Sequence, residues 1–504
     1  QTESVFLPTT YVQNNLTNRF WDVPDSSSIL IKSSSPSGDM PPEIKAYYEI
    51  ARVDDSDTSV YVNGNNNPDI FSLKGKNSLG QEFYVPFQTY WNNHAYNDPR
   101  GAYSSFMVVA ADDNTTIQVN SPYPIARSTA NGGGNYPANT NINITLDRGE
   151  TYKLTPQRET GDVISIDAAE RLRGTHIISD KPIAVTTGDD SDQKVSAYDF
   201  IGDQLIPINN IEGDQVIGHE YLVMRGQVSS NGGGERFYVL ATEDNTTFDV
   251  NIEGVGVTTY NIPNAGEQLG VPLPVGSKYA HVDSDKPVYV FHVSGFGHEL
   301  GGAVLPTIDG CTGSLDVSFV RSKEGASGDE FYLNLMTKKE GINNFHVETN
   351  NGATTYDLNG SDFTPVPGTD WYVLDQGDDN LFTDAEIAPQ TVTRVYNDSS
   401  VFHLGMINGR TTGGGCMYGY FSDYIDEESG VVIVSSGSQI TSGCFGDTIQ
   451  LRATGGISYQ WDPVDYLDDP TIAEPQAIGL PPGLYKYDVQ VSNPCYGDTT
   501  LTVF

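Results

Sequence analysis

Asp113-Asn114-Thr115-Thr116-Ile117, followed downstream by Ser179-Asp180-Lys181-Pro182-Ile183-Ala184-Val185, returns later in the chain as Asp244-Asn245-Thr246-Thr247-Phe248 and Ser284-Asp285-Lys286-Pro287-Val288-Tyr289-Val290. Asp-Asn tolerates tight and left-handed turns, and Thr-Thr followed by Ile or Phe resumes extended chain, so the first motif predicts a hairpin. In the second motif the residue before proline is pushed to extended geometry. Proline itself lacks a ladder donor, which suits the first residue of a strand such as Ile183-Ala184-Val185. A chain that spells the same pair of motifs twice is built of repeated β units.

Outward from these motifs the copies agree further. The first holds Gly80-Gln81-Glu82-Phe83-Tyr84-Val85 and Phe106-Met107-Val108-Val109-Ala110; the second holds Gly218-His219-Glu220-Tyr221-Leu222-Val223 and Phe237-Tyr238-Val239-Leu240-Ala241. A weaker third copy runs through Val317-Ser318-Phe319-Val320, Phe331 to Leu335 and Asn343-Asn344-Phe345 and closes near Ser400 to Leu404, its turn signatures lost. An insertion around Asn131-Gly132-Gly133-Gly134-Asn135 lengthens the first copy and reads as a loop, and a degenerate half-copy is expected at Tyr47 to Val62. Alternation at Tyr238 and Leu240, and again at Phe248 and Val250, predicts strands with one buried face, as in two sheets packed together. A propeller ranks second, because three irregular copies are few for closing a ring.

Composition agrees: Gly 52 and Tyr 29 against Met 6 and Lys+Arg 27 describe a chain rich in strand and turn formers. The fold class read from this is all-β: tandem pseudo-repeated antiparallel β-sandwich units plus a C-terminal immunoglobulin-like sandwich. At 504 residues several modules are expected. They are an N-terminal β region at 1–79, β repeats at 80–216, 217–310 and 311–428, and an immunoglobulin-like module at 429–504. The last rests on Trp461 standing between Cys444 and Cys495 among short alternating strands.

A formal net charge of -39 repels nucleic acid and anionic membrane surfaces. No stretch approaches the roughly 18 apolar residues of a membrane span, so no membrane insertion of this segment is expected. A start at Gln1 and an end at Phe504, inside an apparent strand, suggest a processed fragment of a longer chain. The four cysteines fall into two similar settings, giving Cys311–Cys416 and Cys444–Cys495 as expected disulfides in an oxidising extracellular compartment, with free buried thiols as the alternative.

Motifs for catalysis are missing. His298-Glu299-Leu300-Gly301-Gly302 lacks the second His of a zinc protease, the Gly-rich runs lack the Lys-Ser/Thr ending of a phosphate loop, and no Gly-x-Ser-x-Gly elbow occurs. No catalytic and no cofactor-binding residues are assigned, and the chain is expected not to be an enzyme. Ca²⁺ is the candidate cofactor, because clustered carboxylates can converge on one such ion. Asp189, Asp190 and Asp192 are the proposed ligands, weighed against a solvated loop; Asp54-Asp55-Ser56-Asp57 and Asp378-Asp379 with Asp384 are similar clusters. Trp91, within Thr89-Tyr90-Trp91-Asn92-Asn93-His94, is the candidate ligand-binding residue, as an indole that could stack on a sugar; the alternative is a pair closing the bottom of a sandwich.

The Asp-Asn-Thr-Thr block, Arg148-Gly149-Glu150-Thr151-Tyr152, Gly174-Thr175-His176-Ile177-Ile178 running into Ser179 to Val185, and Gln204-Leu205-Ile206-Pro207 together resemble the IgGFc-binding-protein N-terminal domain of large secreted proteins, over roughly residues 25 to 425. The resemblance implies a Bacteroidota surface protein exported by type IX secretion and continuing into PKD-like or immunoglobulin-like modules, of which Cys444 to Phe504 looks like one. It supplies no catalytic residues, and antibody binding is not carried over. The function expected is a structural or adhesive component of a secreted bacterial surface appendage or giant adhesin, mediating attachment or self-assembly as a homo-oligomer. The alternative is a module binding cell-surface glycans or glycoproteins, and a secreted hydrolase comes third.

Overall fold

The computed structural model describes residues 22–26, 46–50, 69–93, 104–156, 171–310, 312–321, 330–374, 386–409, 415–424, 430–434, 448–493 and 497–504, with single positions at 28, 31, 382 and 446. Among these the chain is all-β, in sheets that are antiparallel but for the short parallel pair of Gln227–Val228 with Phe296–Gly297, and are interrupted by short 3-10 turns. The expected half-copy beyond residue 50, the acidic clusters at 54–57 and 378–384, and Cys311, Cys444 and Cys495 lie outside the described residues.

The repeated motifs fold alike. Asn114 and Asn245 both take the left-handed conformation, at φ 53° and 55°. Each opens a strand, Thr115–Asn120 in the first copy and Thr246–Ile252 in the second. The Ser-Asp-Lys-Pro motif grips this turn from the side. Asp180 Oδ1 accepts the N–H of Thr116 at 2.7 Å, and Asp285 Oδ1 accepts that of Thr247 at 2.8 Å. Lys181 Nζ donates to the Asp113 carbonyl, and Lys286 Nζ to that of Asp244.

The prolines do not start strands. Each lies inside one long strand, Thr175–Lys194 and Tyr279–Gly297, at an irregularity where the strand changes partners. Thr175–Ile178 pairs with Gly80–Val85, and the register then shifts before Ile183–Val185 pairs with Ser104–Ala110. Further on, Thr186–Lys194 pairs with Ala197–Gln204. The second long strand repeats this with Gly218–Met224, Arg236–Ala241 and Glu299–Val304. A missing N–H and a bulge are tolerable where one ladder ends and the next begins.

Alternation also reads differently in place. Phe248 and Val250 face one core, as expected, while Phe237–Ala241 is buried on both faces. Tyr238 and Leu240 join the core of the first copy; Phe237, Val239 and Ala241 join that of the second. In the third copy Glu330–Lys338 does the same, with Met336 in one core and Leu333 and Leu335 in the next. The sandwich layers are therefore shared between copies.

The copies close on themselves. Ala197–Gln204 lies beside Glu299–Val304, that strand beside Cys416–Tyr420, that beside Asp69–Leu73, and the last again beside Ala197–Gln204. Asp199 and Asp203 stand in for a backbone ladder: their Oδ2 atoms accept the N–H groups of Leu300 (2.9 Å) and Val304 (2.8 Å). The C-terminal segment forms a separate small sandwich of two three-stranded sheets around the fully buried Trp461, whose indole N–H donates to the Ile472 carbonyl at 2.9 Å.

Candidate functional site

The expected sites resolve into structural roles. Trp91 is 3 % exposed, packed into the first core, and its indole N–H donates to the Gly232 carbonyl at 2.9 Å. Lys194 completes this corner, its ammonium 5.7 Å from the Trp91 ring and bound to the carbonyls of Ser229, Asn231 and Gly233. Trp91 therefore pins the Gly-rich loop at 229–234 to the first copy and offers no face to a ligand. This corrects the sugar-stacking expectation.

Asp189, Asp190 and Asp192 lie in the long strand at a register shift, not in an open loop. The buried guanidinium of Arg171 pairs with both Asp189 and Asp192, while Asn93 Nδ2 donates to Asp189 at 2.9 Å and Gln88 Nε2 to Asp192 at 2.7 Å. Burial alone would lower the Arg171 pKa, but the two carboxylates outweigh it and raise it; burial, offset in part by Arg171, pushes Asp192 well up. The cation these carboxylates hold is thus an arginine. Among the described residues no group of three or more His, Cys, Asp or Glu is arranged to hold a metal ion. Cys311 lies outside the described residues, and its expected partner Cys416 is a buried, free thiol. Its strand runs through the closed circuit at the centre, where burial pushes the thiol pKa up.

His298 forms the tight turn between the second long strand and Glu299–Val304. Glu299 points into the centre instead, where Oε2 accepts the N–H of Gly415 at 2.8 Å. The centre is acidic: Asp69, Asp199, Asp203, Glu235 and Glu299 are all buried. Lys74 balances one of them, 2.6 Å from Asp203. Burial, and then the proximity of Glu299, pushes Asp199 well up, and burial does the same at Asp69, so both favour their neutral form.

The insertion in the first copy shapes a groove at the surface. Residues 121–140 join Thr115–Asn120 to Asn141–Leu146, where 253–255 suffice between the matching strands of the second copy. The insertion carries its own small hairpin, Ile125–Ala126 with Asn135–Tyr136. It is tied down by Asp22, fully buried, which receives Ser128 N (2.9 Å), Asn131 Nδ2 (3.0 Å), Tyr152 OH (2.8 Å) and Tyr136 OH (3.4 Å). A groove of about 280 Å³ opens beside it, with Arg127, Asn131, Tyr136, Asn143, Thr145 and Tyr152 on its walls. The Arg127 guanidinium lies 5.1 Å from the Tyr136 ring centroid. The Asn-Gly-Gly-Gly loop was the sequence signal for this groove; Asp22, its anchor, had none.

No curated protein matches the chain. A protein-family model does, that of the IgGFc binding protein, over residues 69–395. This span takes in both motif pairs, the two long strands and most of the third copy, and with well over half of its length matched the chain belongs to the IgGFc binding protein family.

Proposed function

We propose that this chain, an extracellular binding protein by its family, is a structural and adhesive component of a secreted bacterial surface appendage or giant adhesin and has no catalytic role. The observation that carries the reading is an open sheet edge. Gly256–Ile262 is the outermost strand of its sheet, paired on one side with Thr246–Ile252. It has no charged residue, and Val257 is 62 % exposed. Sheet edges normally carry lysine, proline or a bulge that discourages pairing with another chain. In a chain of net charge -39, copies repel one another wherever carboxylates face, so an uncharged edge is where a second copy can add its strand.

Two of the histidines are withdrawn from any substrate. His292 is buried between Glu235 and Tyr418, and His403 between Thr312 and Ser422, all closed to solvent. Export by a type IX route in a member of the Bacteroidota belongs to the same proposal, on the strength of the motif resemblance. Light scattering and electron microscopy of the purified chain test the central claim. Ordered oligomers that revert to monomers in Val257→Lys support it; a chain that stays monomeric at high concentration and adheres to no cell surface removes it.

A further inference from the structure

We propose that the groove beside the insertion is a binding site for an acidic saccharide, a sugar ring bearing a carboxylate. The inference rests on the adhesive reading for its biological setting, and its argument is local. The second copy folds with 253–255 where the first spends 121–140, so the insertion is not required by the fold. It is nonetheless fully built, with Ser128 capping the 3-10 turn Thr129–Asn131 and Asp22 buried beneath as a four-way acceptor. Structured insertions on a rigid scaffold are where binding residues concentrate.

The walls specify the ligand. Tyr136, partly exposed, presents an aromatic ring of the kind that covers a sugar face, while the exposed side chains of Asn143 and Thr145 supply amide and hydroxyl groups for its hydroxyls; Tyr152 and Asn131 are held to Asp22 at the back of the groove. The volume, about 280 Å³, sits at the small end of ligand clefts and suits a short saccharide rather than a folded partner. Among the described residues of the walls Arg127 is the one that carries a charge. Among the described residues it forms no ion pair, although the chain contains Asp+Glu 66. A guanidinium held against a tyrosine ring and left without a carboxylate is preorganised to receive one in a forked, two-bond geometry. One isolated cation in an acidic molecule favours a single sugar carboxylate over a densely charged polyanion such as nucleic acid.

Calorimetric titration of the whole chain with digalacturonic acid and with its neutral methyl ester tests the assignment. The acid is expected to bind at least tenfold more tightly than the ester. Arg127→Gln, at an exposed position, is expected to abolish that difference while leaving the melting temperature unchanged, and Tyr136→Ala is expected to weaken both ligands. Equal binding of acid and ester, binding of neither, or an undiminished preference in Arg127→Gln overturns the proposal. Light scattering on the same samples separates this from the adhesive reading: a chain that assembles but ignores both sugars loses only the groove, and one that binds the acid but never assembles or adheres loses only the adhesive role.

Discussion

The ammonium of Lys74 lies 2.6 Å from Oδ1 of Asp203, with both side chains almost wholly buried, and so ties the N-terminal hairpin to the last strand of the first copy. The same carboxylate receives Val304 N at 2.8 Å from the second copy, and Lys74 N donates to Gln204 Oε1 at 2.7 Å. Burial raises the pKa of Asp203 and lowers that of Lys74, each shift opposed by the partner. Lys74→Met would leave an uncompensated buried carboxylate and is expected to cost about 3–5 kcal/mol. Lys74→Met with Asp203→Asn should recover much of that loss, as urea denaturation of the single and double variants will measure.

Two buried groups set opposite arms of the stability profile against pH. Asp199 has a folded-state pKa raised well above its ordinary 3.8 by burial and then by Glu299. The folded state therefore binds the extra proton, and the stability this gives is complete below about 3.8 and is lost as pH rises through the raised value. His403 is driven by burial from 6.5 to about 3, so its contribution is present above 6.5 and is lost as pH falls towards 3. Each arm has a limiting slope of about 1.4 kcal/mol per pH unit. Asp199→Asn, whose amide oxygen can still accept Leu300 N, should flatten the alkaline arm alone, and His403→Gln the acid arm alone, in melting curves taken from pH 3 to 9.

Asn114 and Asn245 occupy equivalent left-handed positions, so replacing either should have the same sign and size. Alanine there is expected to cost about 1–2 kcal/mol, and glycine to be close to neutral, because only the Cβ opposes that conformation. Thermal denaturation of the four single variants checks both the order and the equivalence of the two copies.

Trp91→Ala is expected to destabilise the protein by about 3–5 kcal/mol, since it removes a buried indole and strands the Gly232 carbonyl that it serves. A variant that melts with the parent chain would contradict the role assigned to Trp91 in holding the Gly-rich loop.

These cases show what the sequence carried. Local chemistry was legible: Asp-Asn-Thr-Thr makes the turn its residues demand, and Phe248 and Val250 alternate as written. Pairings across long separations were not. Nothing near Asp189 in sequence announces that Arg171 will fill the space a metal was expected to take, and Asp22 gives no sign that it will anchor an insertion more than a hundred residues away. Burial of polar groups is decided by which distant elements meet. Asp199 and Asp203 stand at the centre, held there by Lys74 and by the backbone N–H groups of Leu300 and Val304.

The strand Arg236–Ala241, with one face in each of two cores, also bears on the history of the molecule. A duplicated segment begins as something that can stand alone. Here one copy's wall has become its neighbour's floor, and the central circuit joins the first copy to the last. What remains a repeat when written out has given up its independence as a physical object, so the chain can lengthen or diverge in its loops far more readily than it can lose a copy.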